Sequence, residues 1–166
     1  MHDDSGVAPL AARVAETLRE RGQTVAVAES SSGGLVSAAL LSIPGASAYF
    51  LGGSVIYTRR AARTLLGLTA NDFAGMRAET EPYANLVAGK IRDRLGATWG
   101  LCESGAAGPA GSPYGDAPGH VCVAVAGPIA RSRTIETGQS NRPLNMEIFA
   151  RELLSLFEEA LGGDGQ

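Results

Sequence analysis

Two stretches of the chain hold side chains that could do chemistry. Ala28 to Gly34 (AESSSGG) places one carboxylate, Glu29, three hydroxyls, Ser30, Ser31 and Ser32, and two glycines, Gly33 and Gly34, in a turn between a β-favouring run and an apolar, helix-compatible one. Hydroxyls at such a turn can cap the helix. The exposed N–H groups there, with the helix dipole behind them, also favour a phosphate or a developing oxyanion. Pattern alone leaves both uses open: Ser32 as a cap beside tightly packed glycines, or a hydroxyl cluster facing a ligand. The second stretch, Ser104 to Gly119 (SGAAGPAGSPYGDAPG), has five glycines and three prolines in sixteen residues, which forbids regular structure. A loop of that length is either functional or a mobile surface segment.

The elements that must position these stretches follow from periodicity. Pro9 to Arg21 sets Leu10, Val14 and Leu18 at helical spacing and stops at Gly22. Thr24 to Ala28 and Tyr49 to Tyr57 read as strands, with a helix from Gly33 to Leu41 between them. Arg59 to Leu66 and Ala70 to Met76 read as short helices and Glu81 to Leu95 as a longer one. Trp99 to Cys102 is a strand. His120 to Ala126 and Ala130 to Glu136 form an antiparallel pair, because so short a connection cannot make a parallel crossover. A last helix spans about Pro143 to Leu161, leaving Gly162 to Gln166 as a frayed tail. Helices separating strands predict an α/β fold, a three-layer α/β/α sandwich with a mixed, mostly parallel sheet, in one domain with its core over about 8–161. Ligands of such sheets bind beyond the carboxyl ends of the strands, where both stretches would lie.

Composition narrows the function. The 166 residues carry 14 basic and 17 acidic side chains, a net charge of −3, with 45% hydrophobic residues and a mean hydropathy of +0.04. That balance fits a globular chain and gives no field to gather nucleic acid or a membrane surface. No run approaches the ~18 apolar residues of a membrane span, and Asp3 and Asp4 stand where a secretory signal has basic residues, so a cytoplasmic location is expected. Cys102 and Cys122 sit in apolar runs and are expected to be reduced and structural. With His2 and His120 they show no metal-site spacing.

Taken together, AESSSGG, PGAS, FLGGSVIYT, LLGL and SGAAGPAG resemble the wording of the CinA carboxy-terminal domain family, which reads AESCTGG, a small-residue turn, a glycine-bearing strand ending in Tyr-Ser, an LLGV-like helix end and SGIAGPGG. ETEP at 79–82 is similar to its VSEP, with Glu79 in place of an apolar residue. The resemblance runs from about residue 8 to 160. It implies a stand-alone, cytoplasmic, self-associating nicotinamide-nucleotide amidohydrolase that needs no cofactor or metal. Its small-molecule partner would be a pyridine nucleotide, nicotinamide mononucleotide, whose carboxamide becomes the acid with release of ammonia. Carried over residue by residue, the resemblance makes Ser30 the nucleophile and Tyr57 a catalytic neighbour. It gives Ser31, Ser32, Gly33, Gly34, Ser104, Gly105, Gly108 and Arg142 to substrate binding.

Two departures bear on activity. The family lysine five residues after the strand-end tyrosine falls on Ala62, beside Arg63, and an arginine stays protonated and cannot act as a base. The second of a family arginine pair falls on Met146, with Arg142 matching the first. Replacement bases are few. Tyr57 could relay a proton, Glu29 is expected to point away, and His120 titrates near neutrality without help. Lys90, the only lysine, lies on an amphipathic helix and reads as solvated. The alternative to an enzyme is a nucleotide-binding or structural paralogue that kept the turn and loop while the catalytic set decayed.

Overall fold

The structure, a computed structural model, describes residues 6–164. Its elements run α1 (Val7–Arg21), β1 (Val25–Glu29), α2 (Leu35–Leu41), β2 (Phe50–Val55), α3 (Arg59–Leu66), α4 (Ala70–Phe73), α5 (Glu81–Leu95), β3 (Trp99–Gly105), β4 (His120–Ala126), β5 (Arg131–Glu136) and α6 (Arg142–Asp164). The five strands make one sheet in the order β2-β1-β3-β4-β5. β1 pairs in parallel with β2 and β3, while β4 pairs antiparallel with both β3 and β5. Four strands therefore run one way and β4 alone opposes them. The sequence announced one antiparallel ladder, β4 with β5. The second, β3 with β4, arises because the connection at 106–119 contains no helix to carry the chain across the sheet, so the chain folds straight back.

Strand alternation sorts the core into two unequal layers. Val25 and Val27 of β1 face α1, α2 and α6, where Leu10, Val14, Leu18, Phe149, Leu153 and Phe157 are buried and Trp99 meets Phe157 edge-on at 5.5 Å. Ala26 and Ala28 face the other way, with Cys102, Cys122 and Ala124, towards α3 and α5. That face is made of small residues, so α5 packs close: a Cβ on Gly100 would lie 2.1 Å from the Ala88 carbonyl oxygen. Both cysteines are free and buried, and burial pushes both thiols up, away from the reactive thiolate.

Among the boundaries that differ from the sequence reading, two extend an element by three residues. β3 continues three residues past Cys102, pairing Glu103, Ser104 and Gly105 with Val123, Cys122 and Val121, so the long loop begins only at Ala106. α6 continues through Gly162 and Gly163 to Asp164, where a frayed tail was expected. Arg21 explains this by donating to the Leu161 carbonyl at 2.9 Å and lying 3.5 Å from the Asp164 carboxylate, so the last turn has the cation its exposed carbonyls favour. Residues 165–166 of that tail, and His2, Asp3 and Asp4, lie outside the described residues.

Candidate active site

β1 and β3 end side by side, and each ends near a buried carboxylate. Glu103 accepts from Ser30 N at 2.9 Å, Ser32 N at 3.0 Å, the Ser32 hydroxyl at 2.8 Å and the Ser31 hydroxyl at 2.7 Å. Glu29 accepts from the Ser32 hydroxyl at 2.7 Å and from the amides of Val36 and Ser37, both at 2.9 Å. The helix start that looked like an anion site is thus filled by the protein's own carboxylates. Ser32 neither caps α2, whose N-cap is Gly34 without a side-chain bond, nor lines the cavity described below, and its hydroxyl is spent between two acids. Gly33 and Gly34 also lie off the cavity described below; they turn the backbone at φ +66° and +103°. The Ser32 hydroxyl has one hydrogen for two carboxylates. Burial pushes the Glu103 carboxyl up, against the pull of its donors at Ser32, Ser31 and Ser30.

Beside this turn opens a cavity of about 570 Å³. Ser30 and Ser31 form one wall, Tyr57 and Arg59 a second, and Gly105 to Tyr114 with Arg142 a third. Of the three serine hydroxyls, that of Ser30 makes no hydrogen bond among the described residues and stands free at the cavity. Arg142, in the first turn of α6, donates to the Gly108 carbonyl at 2.6 Å and to the Tyr57 hydroxyl at 3.1 Å, fixing loop and tyrosine together. Gly108 has to be glycine: its φ is +101°, and a Cβ would stand 2.8 Å from the Ser140 carbonyl oxygen. Arg59 stacks its guanidinium 4.7 Å over the Phe73 ring and donates to the Met76 carbonyl. The cavity therefore has two arginines and a free hydroxyl on its walls, with the glycine-proline loop lying along one of them.

Other candidates stand elsewhere. Ser104 is not on the wall; its hydroxyl accepts from the Glu79 amide at 3.1 Å. Ala62 is wholly buried in the small-residue layer and offers no titratable group. Met146 packs on the α1 and α6 layer, its Cε 3.2 Å from where a Cβ of Gly33 would be. Lys90 does not reach the cavity. Nor does His120: its Nδ1 meets Glu136 and its Nε2 meets the Glu79 carbonyl at 2.8 Å. Both partners accept, so both ring nitrogens must carry hydrogen. Burial by itself would lower the ring's pKa, but Glu136, the Glu79 carbonyl and Asp116 outweigh it and raise the net value.

Sequence reasoning passed over two acids. Glu103 was hidden at the end of an apolar run, and a charge in an otherwise buried strand was the signal available. Glu79 was noticed only as a substitution, yet among the lining residues it is the one carboxylate. Its backbone is left-handed at φ +60°, and three contacts hold it there: its amide on Ser104, and its carbonyl on His120 and, at 3.4 Å, on Cys122. Its Oε2 is buried with no hydrogen-bond partner. Burial pushes this carboxyl up, with Asp116 adding to the rise and His120 and Arg77 opposing it.

The same arrangement of elements recurs in known proteins. A competence-damaged protein (CinA) superfamily protein from Escherichia coli superposes with a TM-score of 0.88 over 96% of this chain and 92% of that one, at 19% identity, which speaks for the fold. Another from Enterobacter cloacae gives 0.88 at 28% identity, covering 97% and 96%. The "CinA-like protein" of Prochlorococcus marinus (strain MIT 9313) is 44% identical over 119 residues, which is 72% of this chain and 28% of that protein. That of Desulfosudis oleivorans is 38% identical over 149 residues, 89% of this chain and 36% of its own length. The chain thus spans roughly a third of these longer relatives. No helix among the described residues is long and apolar enough to cross a membrane. The sequence model of the CinA C-terminal domain matches residues 7–161, a span that takes in the serine turn, the glycine-proline loop and the arginine that clasps that loop to Tyr57, and the chain belongs to that family.

Proposed function

We propose that this chain hydrolyses the carboxamide of a phosphorylated pyridine nucleotide, of the nicotinamide mononucleotide type, through an acyl-enzyme on Ser30. The observation that carries the reading is the free Ser30 hydroxyl beside a cavity whose other walls present Arg59 and Arg142. The arginines suit the phosphate, since the helix start is already occupied by Glu29 and Glu103. Ser30 Oγ attacks the carboxamide carbon. The Ser31 N–H, which has no acceptor among the described residues, is the amide placed to receive the oxyanion. Tyr57, held by Arg142, relays the serine proton to the departing nitrogen, which leaves as ammonia. Water then splits the ester, giving the acid and restoring the serine.

A second reading has its own observation: the position of the family lysine holds a buried alanine, so a binder without turnover would show the same walls. Ammonia release from nicotinamide mononucleotide, with Ser30→Ala as control, separates the two. Release that vanishes in the variant supports hydrolysis. Nucleotide binding without release by the unsubstituted chain supports the binder.

A further inference from the structure

Glu79 adopts a backbone conformation that costs a non-glycine residue about 1–2 kcal/mol, and three side chains from β3 and β4, Ser104, His120 and Cys122, keep it there. Strain of that kind persists only where its surroundings over-determine it. What the arrangement achieves is to bring a carboxylate to the wall of an otherwise neutral and cationic cavity, with neither oxygen hydrogen-bonded among the described residues and Oε2 closed off from the cavity. Oε2 is closed off, so it falls to Oε1, which has no partner among the described residues either, to offer its unspent acceptor capacity to a donor on a ligand in the cavity.

We propose that Glu79 is the specificity-determining residue of the cavity, accepting from the carboxamide N–H2 of a cationic-ring nucleotide and disfavouring the same nucleotide once that group has become a carboxylate. The proposal rests on the amidohydrolase reading and deepens it. Before reaction, the ligand offers N–H donors and a positively charged ring to an acceptor that has none. After reaction, the –CONH2 group is –COO⁻, a pure acceptor, and it faces Glu79 as like charge against like charge. Hydrolysis thereby turns an attractive contact into a repulsive one. Glu79 favours departure of the acid while Arg59 and Arg142 hold the phosphate of substrate and product alike, so the discrimination lies at one end of the ligand only.

The test measures affinity for nicotinamide mononucleotide and for its acid, by calorimetric titration in a Ser30→Ala background where no turnover occurs. The expected preference for the amide is about tenfold or more, falling to within about threefold when Glu79→Gln is added, mainly through tighter binding of the acid. Because Glu79→Gln could disturb folding, the Ser30→Ala protein is also titrated from neutral pH downward. The preference should shrink as the pH falls through the raised pKa of Glu79, whose charged neighbours are Asp116, His120, Arg77 and Glu103. Phosphate titration is common to both ligands and cancels in the ratio. Equal affinities at neutral pH, with Ser30-dependent ammonia release intact in the unsubstituted chain, overturn this proposal alone. Failure of either nucleotide to bind, with no ammonia released, overturns the amidohydrolase reading and this proposal with it.

Discussion

Arg142 donates to the Tyr57 hydroxyl at 3.1 Å, joining the first turn of the last helix to the segment that leaves β2, 85 residues earlier in the chain. The same guanidinium holds the Gly108 carbonyl at 2.6 Å. One planar fork thus sets the spacing of two cavity walls, something a lysine ammonium cannot do with the same geometry.

Arg142→Ala should therefore lose both the charge and the clasp on Gly108 and Tyr57. Nucleotide affinity is expected to fall by about tenfold to a hundredfold, since a charge-assisted contact to phosphate is worth about 1.5–3 kcal/mol. Thermal stability should change little, because Arg142 is exposed. Titration of nucleotide into the variant checks this, and an unchanged affinity would place the phosphate elsewhere.

Ser30→Ala should abolish ammonia release while leaving the free energy of urea unfolding within about 0.5 kcal/mol of the parent, because its hydroxyl makes no hydrogen bond among the described residues. A large loss of stability would show that the hydroxyl is structural and not reserved for chemistry.

Glu103→Ala strands two backbone amides, those of Ser30 and Ser32, while the Ser31 and Ser32 hydroxyls keep the Gly105 carbonyl and Glu29 as acceptors. With each unsatisfied donor costing about 1–3 kcal/mol and the effects not additive, a loss of about 3 kcal/mol or more is expected in urea denaturation. A loss below about 1 kcal/mol would mean that water replaces the carboxylate freely.

His120 supplies a pH dependence whose sign is fixed by its environment. Its folded pKa is raised above the ordinary 6.5, so the folded state holds the proton more tightly than the unfolded chain does. The resulting stability is fully present below pH 6.5 and is lost as the pH rises through the raised value. His120→Gln should remove that slope, and denaturation curves at several pH values above and below 6.5, compared between the two proteins, measure it.

The layered fold was legible because its signals are local. Leu10, Val14 and Leu18 repeat at helical spacing, glycines stop α1, α3 and α5, and Val25 to Ala28 are short and apolar. The serine turn and the loop could be named from motif wording, and the structure places Ser30, Ser31, Gly105 and Gly108 on one cavity with Tyr57 and Arg142. What could not be read was how the hydroxyls divide. Ser31 and Ser32 answer to Glu103, more than seventy residues away in sequence, and nothing near the turn announces that pairing. Glu79 was illegible for the same reason: its left-handed backbone is imposed by Ser104, His120 and Cys122, which meet it only once β3 and β4 are assembled.

Because Glu29 and Glu103 neutralise the serine turn from within, its shape does not depend on an arriving anion. The turn needs no ligand to complete it, and the residues proposed to meet one, Arg59, Glu79 and Arg142, hang from it on separate segments. Substitution at those three positions is therefore expected to alter what the walls offer a ligand before it alters the chassis behind them.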